Sequence, residues 1–577
     1  MLKNYFKIAL RSLLRDKSYT FINVTGLALG ITTCLIIFLI IHREFSIDTF
    51  HADHDRIYRV VDESKTASGI EKTNVTPYPF ANGFRNDFPE INDVTEFHYQ
   101  EQILVTIDGE KSNVTDIIFA DSSFFDIFGF EVLSGNPKKE LAQPGKVFLS
   151  EEYAAKLRTK DTKHIKLNNM LDLEVVGIIK KSIHPSHITF NMIVSWPSLS
   201  KEFLTFPITE WGLHAAAFTY IKLPPNMHRE QVEKRFPDFV KKYHSPEEAN
   251  HLQYFLQPLS EAHFNTEYTG NPGEAATSIT TVYILGFIGL FILIIACVNF
   301  VNLATALSIK KSKEVGVRKT LGARQGQLAF QYMSEALLLT FTAAIISICL
   351  AEIAVPFTSS FLKKDFQLNF FHNMPVIVFL ICLILFTALV SGLYPSLVLA
   401  RFNPVRALKN KIADPGSSSS VLRKSLVVFQ FFIAQVLIIC TLVVSSQINF
   451  FRTKPLGFSK EAIINVPLPE NKPEILEALR NKLATNSSVQ DVSVSVGAPI
   501  SDNNFGTSMY LTEKGKTDQY TIGIKLADVH YKDVYGLELL EGRWFLESDE
   551  KLAAPVNQED KRFSYVITES AVKALGF

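Results

Sequence analysis

Lys310–Leu328, KKSKEVGVRKTLGARQGQL, carries six Lys or Arg residues, one Glu and three glycines between two long apolar segments. The flanking segments, Val282–Ile309 and Ala336–Val355, are each long enough to cross a bilayer, which takes roughly 20 helical residues. The basic stretch therefore reads as a short loop between two membrane spans. Excess Lys and Arg in a short loop marks it as cytoplasmic. The fold class that follows is an α-helical membrane protein.

The rest of the composition agrees. The chain has 577 residues, 47% hydrophobic and 20% charged, with 58 basic against 58 acidic side chains. Zero net charge excludes the basic excess of a nucleic-acid binder. Cys34, Cys297, Cys349, Cys382 and Cys440 all lie inside apolar segments. They staple no extracytoplasmic domain and form no CxxC cluster, so they read as small hydrophobes.

At the start of the chain, residues 1–20 hold Lys3, Lys7, Arg11, Arg15 and Lys17 against Asp16 alone. Residues 21–41 then run without a charge, longer than the apolar core of a signal peptide. This is a retained anchor with its N-terminus inside. Gly26 and Gly30 (GLALG) mark a face for close helix packing.

Residues 42–280 have the hydropathy of a mixed α/β domain that faces outward. Strand-like alternation appears in Arg56–Val61, Ile103–Ile107 and Leu173–Ile179, and helical spacing in Glu151–Leu157 and His228–Tyr243. His51 and His54 stand among acids, and His184 and His187 bracket Pro185, but neither pair has HExxH spacing. They read as solvated turn residues, with no metal. No GxSxG elbow is present. The domain reads as a binder or a lever.

In the span 282–309, Asn299 and Asn302 share one helical face and read as polar glue between helices. Glu335 and Glu352 lie near opposite boundaries of the next span. A short outer loop with Lys363 and Lys364 leads to a span over 374–400, which Pro395 is expected to kink or end. Residues 401–424 are a basic cytoplasmic linker containing DPGSSSS, and 425–447 cross outward again. Charge bias agrees with strict alternation over five crossings.

Beyond the fifth span the sequence repeats itself. Ala120–Gly135 (ADSSFFDIFGFEVLSG) and Ala527–Gly542 (ADVHYKDVYGLELLEG) share Asp121/Asp528, Asp126/Asp533, Gly129/Gly536, Glu131/Glu538 and Gly135/Gly542. Val147–Leu157 has its counterpart in Tyr565–Leu575. The expectation is a two-fold internal repeat of span, outer domain and three spans. The second copy, 448–577, is incomplete, so the natural chain is expected to continue.

KEVGVRKTLGARQGQLAFQYMSEALLL (Lys313–Leu339) resembles the coupling segment of MacB/FtsX-type permeases of ABC transporters. Phe50–Val61, Val175–Ser195 and Ser391–Lys409 are also similar to the large bacterial permeases of this group. The resemblance implies a MacB-like periplasmic domain over 42–280, an FtsX-like permease domain over 282–400, and a location in the bacterial inner membrane. It implies that Lys313, Glu314, Val315, Gly316, Val317, Arg318, Lys319, Leu321, Gly322 and Ala323 meet an ABC ATP-binding subunit. Glu314, Arg318 and Lys319 would supply polar contacts, and Val315, Val317 and Leu321 would fill an apolar groove on the partner. A purely topogenic loop touching anionic lipid is the plainer reading of the same charges.

A Walker A loop is missing: Gly515-Lys516-Thr517 has Tyr510 where the first glycine belongs. The chain is therefore expected to bind no cofactor and to be no enzyme, with ATP-Mg used by a separate subunit, in two copies. Membrane lipid and periplasmic or outer-membrane export proteins are the other partners implied. The implied function is export of a peptide, lipopeptide, lipoprotein or hydrophobic drug. The alternative is a transmembrane signalling lever that senses an antibiotic or activates a cell-wall hydrolase. A scaffolding anchor would not need the glycine-bearing basic stretch.

Overall fold

Apolar runs too long for a globular core become five helices able to span a membrane: Lys17–Ser46, Ile279–Leu307, Gln325–Leu362, Met374–Val398 and Arg423–Thr453. The computed structural model describes residues 11–576 except 12, 67–68, 157–163, 181, 183, 205–206, 213–216, 269–271, 274–275, 365, 367–372, 402–417, 469–471, 502–504, 514–515 and 550–562. Most of the predicted linker 401–424 and the Gly515 turn thus lie outside the described residues. The chain divides into a membrane unit (1–50, 263–266 and 276–449) and an α/β unit (51–262, 267–275 and 450–577).

In the membrane unit the first four helices share a core. Leu27, Ala28, Ile31 and Cys34 of the first pack with Leu293, Cys297 and Phe300 of the second and with Leu339 and Ala343 of the third. Small residues set the spacing. A methyl placed on Gly30 would meet Ala296 Cβ at 2.9 Å, and one on Gly392 would meet Ala336 Cβ at 2.7 Å. A methyl on Gly26 finds only Asn299 Nδ2, at 3.7 Å. Asn302 Oδ1 is buried and accepts no hydrogen bond from the described residues. The five cysteines are free thiols.

One sequence expectation is narrowed in this unit and one fails. Helix Met374–Arg401 runs through Pro395 without ending there. Pro395 withholds the N–H that would pair with Ser391 O, and membrane helices tolerate such a proline where neighbouring groups satisfy the freed backbone. The basic stretch is not a loop over 310–328. The second helix continues to Thr320 and the third begins at Gln325. Lys, Glu and Arg are good helix formers, so charge alone did not end the helix.

The α/β unit contains strands β1 (Ile57–Thr66), β2 (Gly69–Thr73), β3 (Asp93–Ile107), β4 (Glu110–Ala120), β5 (Val132–Ser134), β6 (Lys146–Ser150) and β7 (His164–Leu167). It continues with β8 (Leu171–Ile179), β9 (Met192–Ser195), β10 (Ala217–Lys222), β11 (Leu252–Pro258), β12 (Phe505–Glu513) and β13 (Lys516–Ile524). The order β11-β1-β10-β3 forms an open layer. Phe80 and Phe84 from helix Phe80–Asp87 and its C-cap Phe88, with Phe236 and Phe239 from helix Phe236–Tyr243, pack on its Val60, Val94, Ile221 and Leu256.

From β3 the ladder continues β4-β9-β6-β8, and β7 pairs with both β8 and β3. These six strands therefore close into a ring. Val105, Val114, Phe119, Leu149, Ile165, Leu173 and Met192 form its core. Strand β3 serves both layers. Asp93–His98 pair with β10, and Val105 and Thr106 pair with β7.

Candidate coupling surface

Glu314 and Arg318 are one helical turn apart, and Arg318 Nη2 donates to Glu314 Oε1 at 2.7 Å. The other arm of the guanidinium, Nη1, donates to Gln331 Oε1 at 2.6 Å on the next helix. Arg15 Nη2 stands 3.9 Å from the second oxygen of Glu314. Arg318 thus holds the two sides of the turn together, with planar geometry that a lysine could not reproduce.

The turn itself is short. Gly322 takes φ +97°, where a Cβ would be strained. Leu321 N donates to Val317 O, Gly322 N to Lys319 O and Ala323 N to Arg318 O, closing the helix end. Arg324 N then donates to Gln327 Oε1 at 3.0 Å and starts the third helix.

These contacts redistribute the roles expected of the segment. Val315 is fully buried against Leu328, Tyr332 and Ala400 of its own chain, so it does not fill a groove on a partner. Val317 is 44% and Leu321 82% exposed; they remain at the surface. Gly316 is buried within the helix, Lys319 and Ala323 are half-buried, and the side chain of Lys313 lies outside the described ones. Sequence reading missed Gln331 and Arg15. Gln331 sits 13 residues from Arg318, beyond any local pattern, although an exposed-looking Gln in an apolar helix was a signal.

In the α/β unit the histidines expected to be solvated turn residues are placed differently. His51 and His187 are not solvated: each is 2% exposed. His51 Nδ1 lies 2.6 Å from Phe128 O, and His187 Nε2 lies 2.6 Å from Tyr220 OH. Phe128 and Phe130 pack on the His51 ring and Tyr220 on that of His187, contacts invisible to local spacing. Among the described residues no cluster of His, Cys, Asp and Glu is arranged to hold a metal.

One charged cluster of this unit is built around Asp121. Arg85 Nη2 and Thr95 Oγ1 donate to the two carboxylate oxygens at 2.5 and 2.6 Å. Glu96 is 2% exposed, and burial, then the neighbouring Asp121 charge, pushes its carboxyl well above the usual range. Burial also raises Asp121, with Arg85 opposing.

Residues 20–239 match the MacB-like periplasmic core domain, and residues 286–404 match the FtsX-like permease C-terminal domain. The chain is a MacB/FtsX-like ABC transporter permease. Its α/β unit thus includes a MacB-like periplasmic domain. The permease is 22% identical to the uncharacterized ABC transporter permease YvrN of Bacillus subtilis over 295 residues, 50% of this chain and 68% of that one. It is 28% identical to the pyoverdine export ATP-binding/permease protein PvdT of Pseudomonas putida over 138 residues, 24% of this chain and 20% of that one. The crystal structure of the periplasmic region of MacB from Actinobacillus actinomycetemcomitans aligns over 35% of the permease and 89% of its own chain, at 11% identity and a TM-score of 0.26.

Proposed function

We propose that this permease couples ATP hydrolysis by a separate ATP-binding subunit, present in two copies, to movement of its periplasmic domain. The export of a peptide, lipopeptide, lipoprotein or hydrophobic drug from the bacterial inner membrane is the purpose this serves. The observation that carries it is the unbroken helix Ile279–Thr320, 42 residues long, or about 60 Å of rod. It runs from the outer side of the membrane into the basic segment. A push at Leu321 is thereby delivered along one rigid element. Val317 and Leu321 are the apolar surface offered to the ATPase, and Arg318 keeps that surface in shape.

The test is purification of the full-length chain with the ATPase that accompanies it. Leu321→Asp should abolish recovery of the ATPase and leave the folded yield of the permease unchanged. Undiminished recovery would refute the coupling role.

We infer that residues 448–577 hold a region related to part of the outer domain. Asp528 supports this, because its surroundings repeat those of Asp121. Arg480 Nη1 donates to Asp528 Oδ2 at 3.5 Å and Ser493 Oγ to Oδ1 at 2.6 Å, the parts played by Arg85 and Thr95. The helices that follow, Phe124–Phe128 and Tyr531–Tyr535, both end on a left-handed glycine, Gly129 and Gly536.

A further inference from the structure

Glu44 lies in the last turn of the first membrane helix, Lys17–Ser46, on the periplasmic side, and is 3% exposed. A carboxylate so buried persists only where its charge is matched and its lone pairs are used. Both oxygens are engaged. His263 Nε2 lies 2.6 Å from Oε2, and Lys364 Nζ donates to Oε1 at 2.7 Å. The partners are 219 and 320 residues away along the chain.

Each partner is also held by a contact of its own backbone. His263 O accepts from Thr277 N at 2.9 Å, immediately before the second membrane helix. Lys364 follows the left-handed cap Lys363 of the third helix, and its carbonyl accepts from Ser359 Oγ at 2.6 Å. Its Nζ also reaches Thr277 Oγ1 at 3.5 Å. Arg43 Nη1 stands 3.5 Å from Glu44 Oε1, with its guanidinium 5.7 Å from the Phe366 ring centre. Phe45 and Phe264 pack at 5.3 Å beside the same point. His263 Nδ1 is buried with no hydrogen-bond partner among the described residues, so the ring is placed to donate from Nε2 to Glu44.

Residues 263–266 are correspondingly drawn into the membrane unit, whereas 262 and 267 belong to the α/β unit. Of these four residues, His263 is the one that contacts Glu44.

We propose that Glu44 is a two-armed clasp that makes the periplasmic ends of the first three membrane helices move as one body. The His263 arm ties the first helix to the approach of the second, and the Lys364 arm ties it to the exit of the third. Separation of any two of these ends requires one arm to let go. Glu44 is a positioning residue whose role does not depend on which ATPase or substrate the permease uses.

The test is pulsed electron-spin distance measurement on the full chain in lipid nanodiscs, with the five native cysteines replaced by alanine. Nitroxide pairs at positions 49 and 281 read the His263 arm, and pairs at 49 and 361 read the Lys364 arm; Thr49, Thr281 and Phe361 are exposed. Each pair should give one narrow distance in the parent. His263→Leu should at least double the width for 49/281 alone, Lys364→Met should do so for 49/361 alone, and Glu44→Ala should broaden both. Unchanged widths would overturn the clasp. So would equal broadening of both pairs by either single-arm variant, which marks general softening. If Glu44→Ala fails to fold, the two single-arm variants decide the matter. A positive result would stand even if Leu321→Asp left ATPase recovery intact.

Discussion

Arg318 and Gln331 meet at 2.6 Å across the turn that joins the second and third membrane helices. The guanidinium spends its other arm on Glu314 at 2.7 Å, so a single side chain sets both the last helical turn and the approach of the next helix. A hydrogen bond to a charged group contributes about 1.5–3 kcal/mol when well buried. Arg318 is 31% exposed, and solvent screening lowers that to about 1 kcal/mol. In a double-mutant cycle, Arg318→Met and Gln331→Leu should be less than additive by that amount in unfolding of the detergent-solubilised chain. Full additivity would show the pair to be uncoupled.

Gly30 and Gly26 are one turn apart but face different constraints. Gly30→Val must displace Ala296, whose Cβ would stand 2.9 Å from the new Cβ; overpacking of this kind costs about 1–3 kcal/mol. Gly26→Ala has 3.7 Å of clearance and gains helix propensity. Size-exclusion profiles should show loss of monodisperse protein for Gly30→Val and none for Gly26→Ala. The reverse ranking would contradict the helix contact described.

Glu96 predicts a pH dependence with a definite sign. Burial raises its folded-state pKa well above the glutamate range, so the folded chain keeps a proton that the unfolded chain releases. The contribution is fully present below the ordinary glutamate pKa and is lost as pH rises toward the folded-state value. From the ordinary glutamate pKa upward, the α/β unit should therefore lose stability as pH increases. Glu96→Gln should flatten that slope, with the residue contributed by Asp121 remaining. Tryptophan fluorescence from Trp196 and Trp211 during denaturation measures it; an unchanged slope would exclude Glu96 as its source.

Asp121→Ala leaves Arg85 beside a cavity without its carboxylate, and Asp528→Ala does the same to Arg480. Breaking such a buried pair costs about 3–5 kcal/mol, less here because Arg85 and Arg480 are 32% and 34% exposed. The shorter contact, 2.5 Å against 3.5 Å, makes the Asp121 substitution the more damaging of the two. Limited proteolysis of the full chain should cut near each substituted site and leave the other region protected.

Much of this architecture was legible because lipid imposes a coarse rule. Residues 21–41 and 425–447 lack charge and have no other home than a helix in a membrane. Strands β1, β3 and β8 also announced themselves by alternation. Where tertiary pairing decides, local pattern fell short. Nothing in His164–Leu167 tells that β7 bonds to β3 as well as β8, and the ring is closed by that short strand. The basic segment misled because charge reports the side of the membrane, not the end of a helix. Glu44 was unreadable for the same reason: its two partners come from chain positions hundreds of residues distant.

Strand β3 passes from the open layer into the closed ring between His98 and Ile103. Since neighbouring strand residues point to opposite faces, one residue inserted there would turn Ile103 and Val105 out of the ring while leaving Val94 and Phe97 where they are. Two inserted residues would restore both faces. Length changes at this junction should therefore be tolerated in even numbers only, a parity rule written into the domain by the sharing of a single strand.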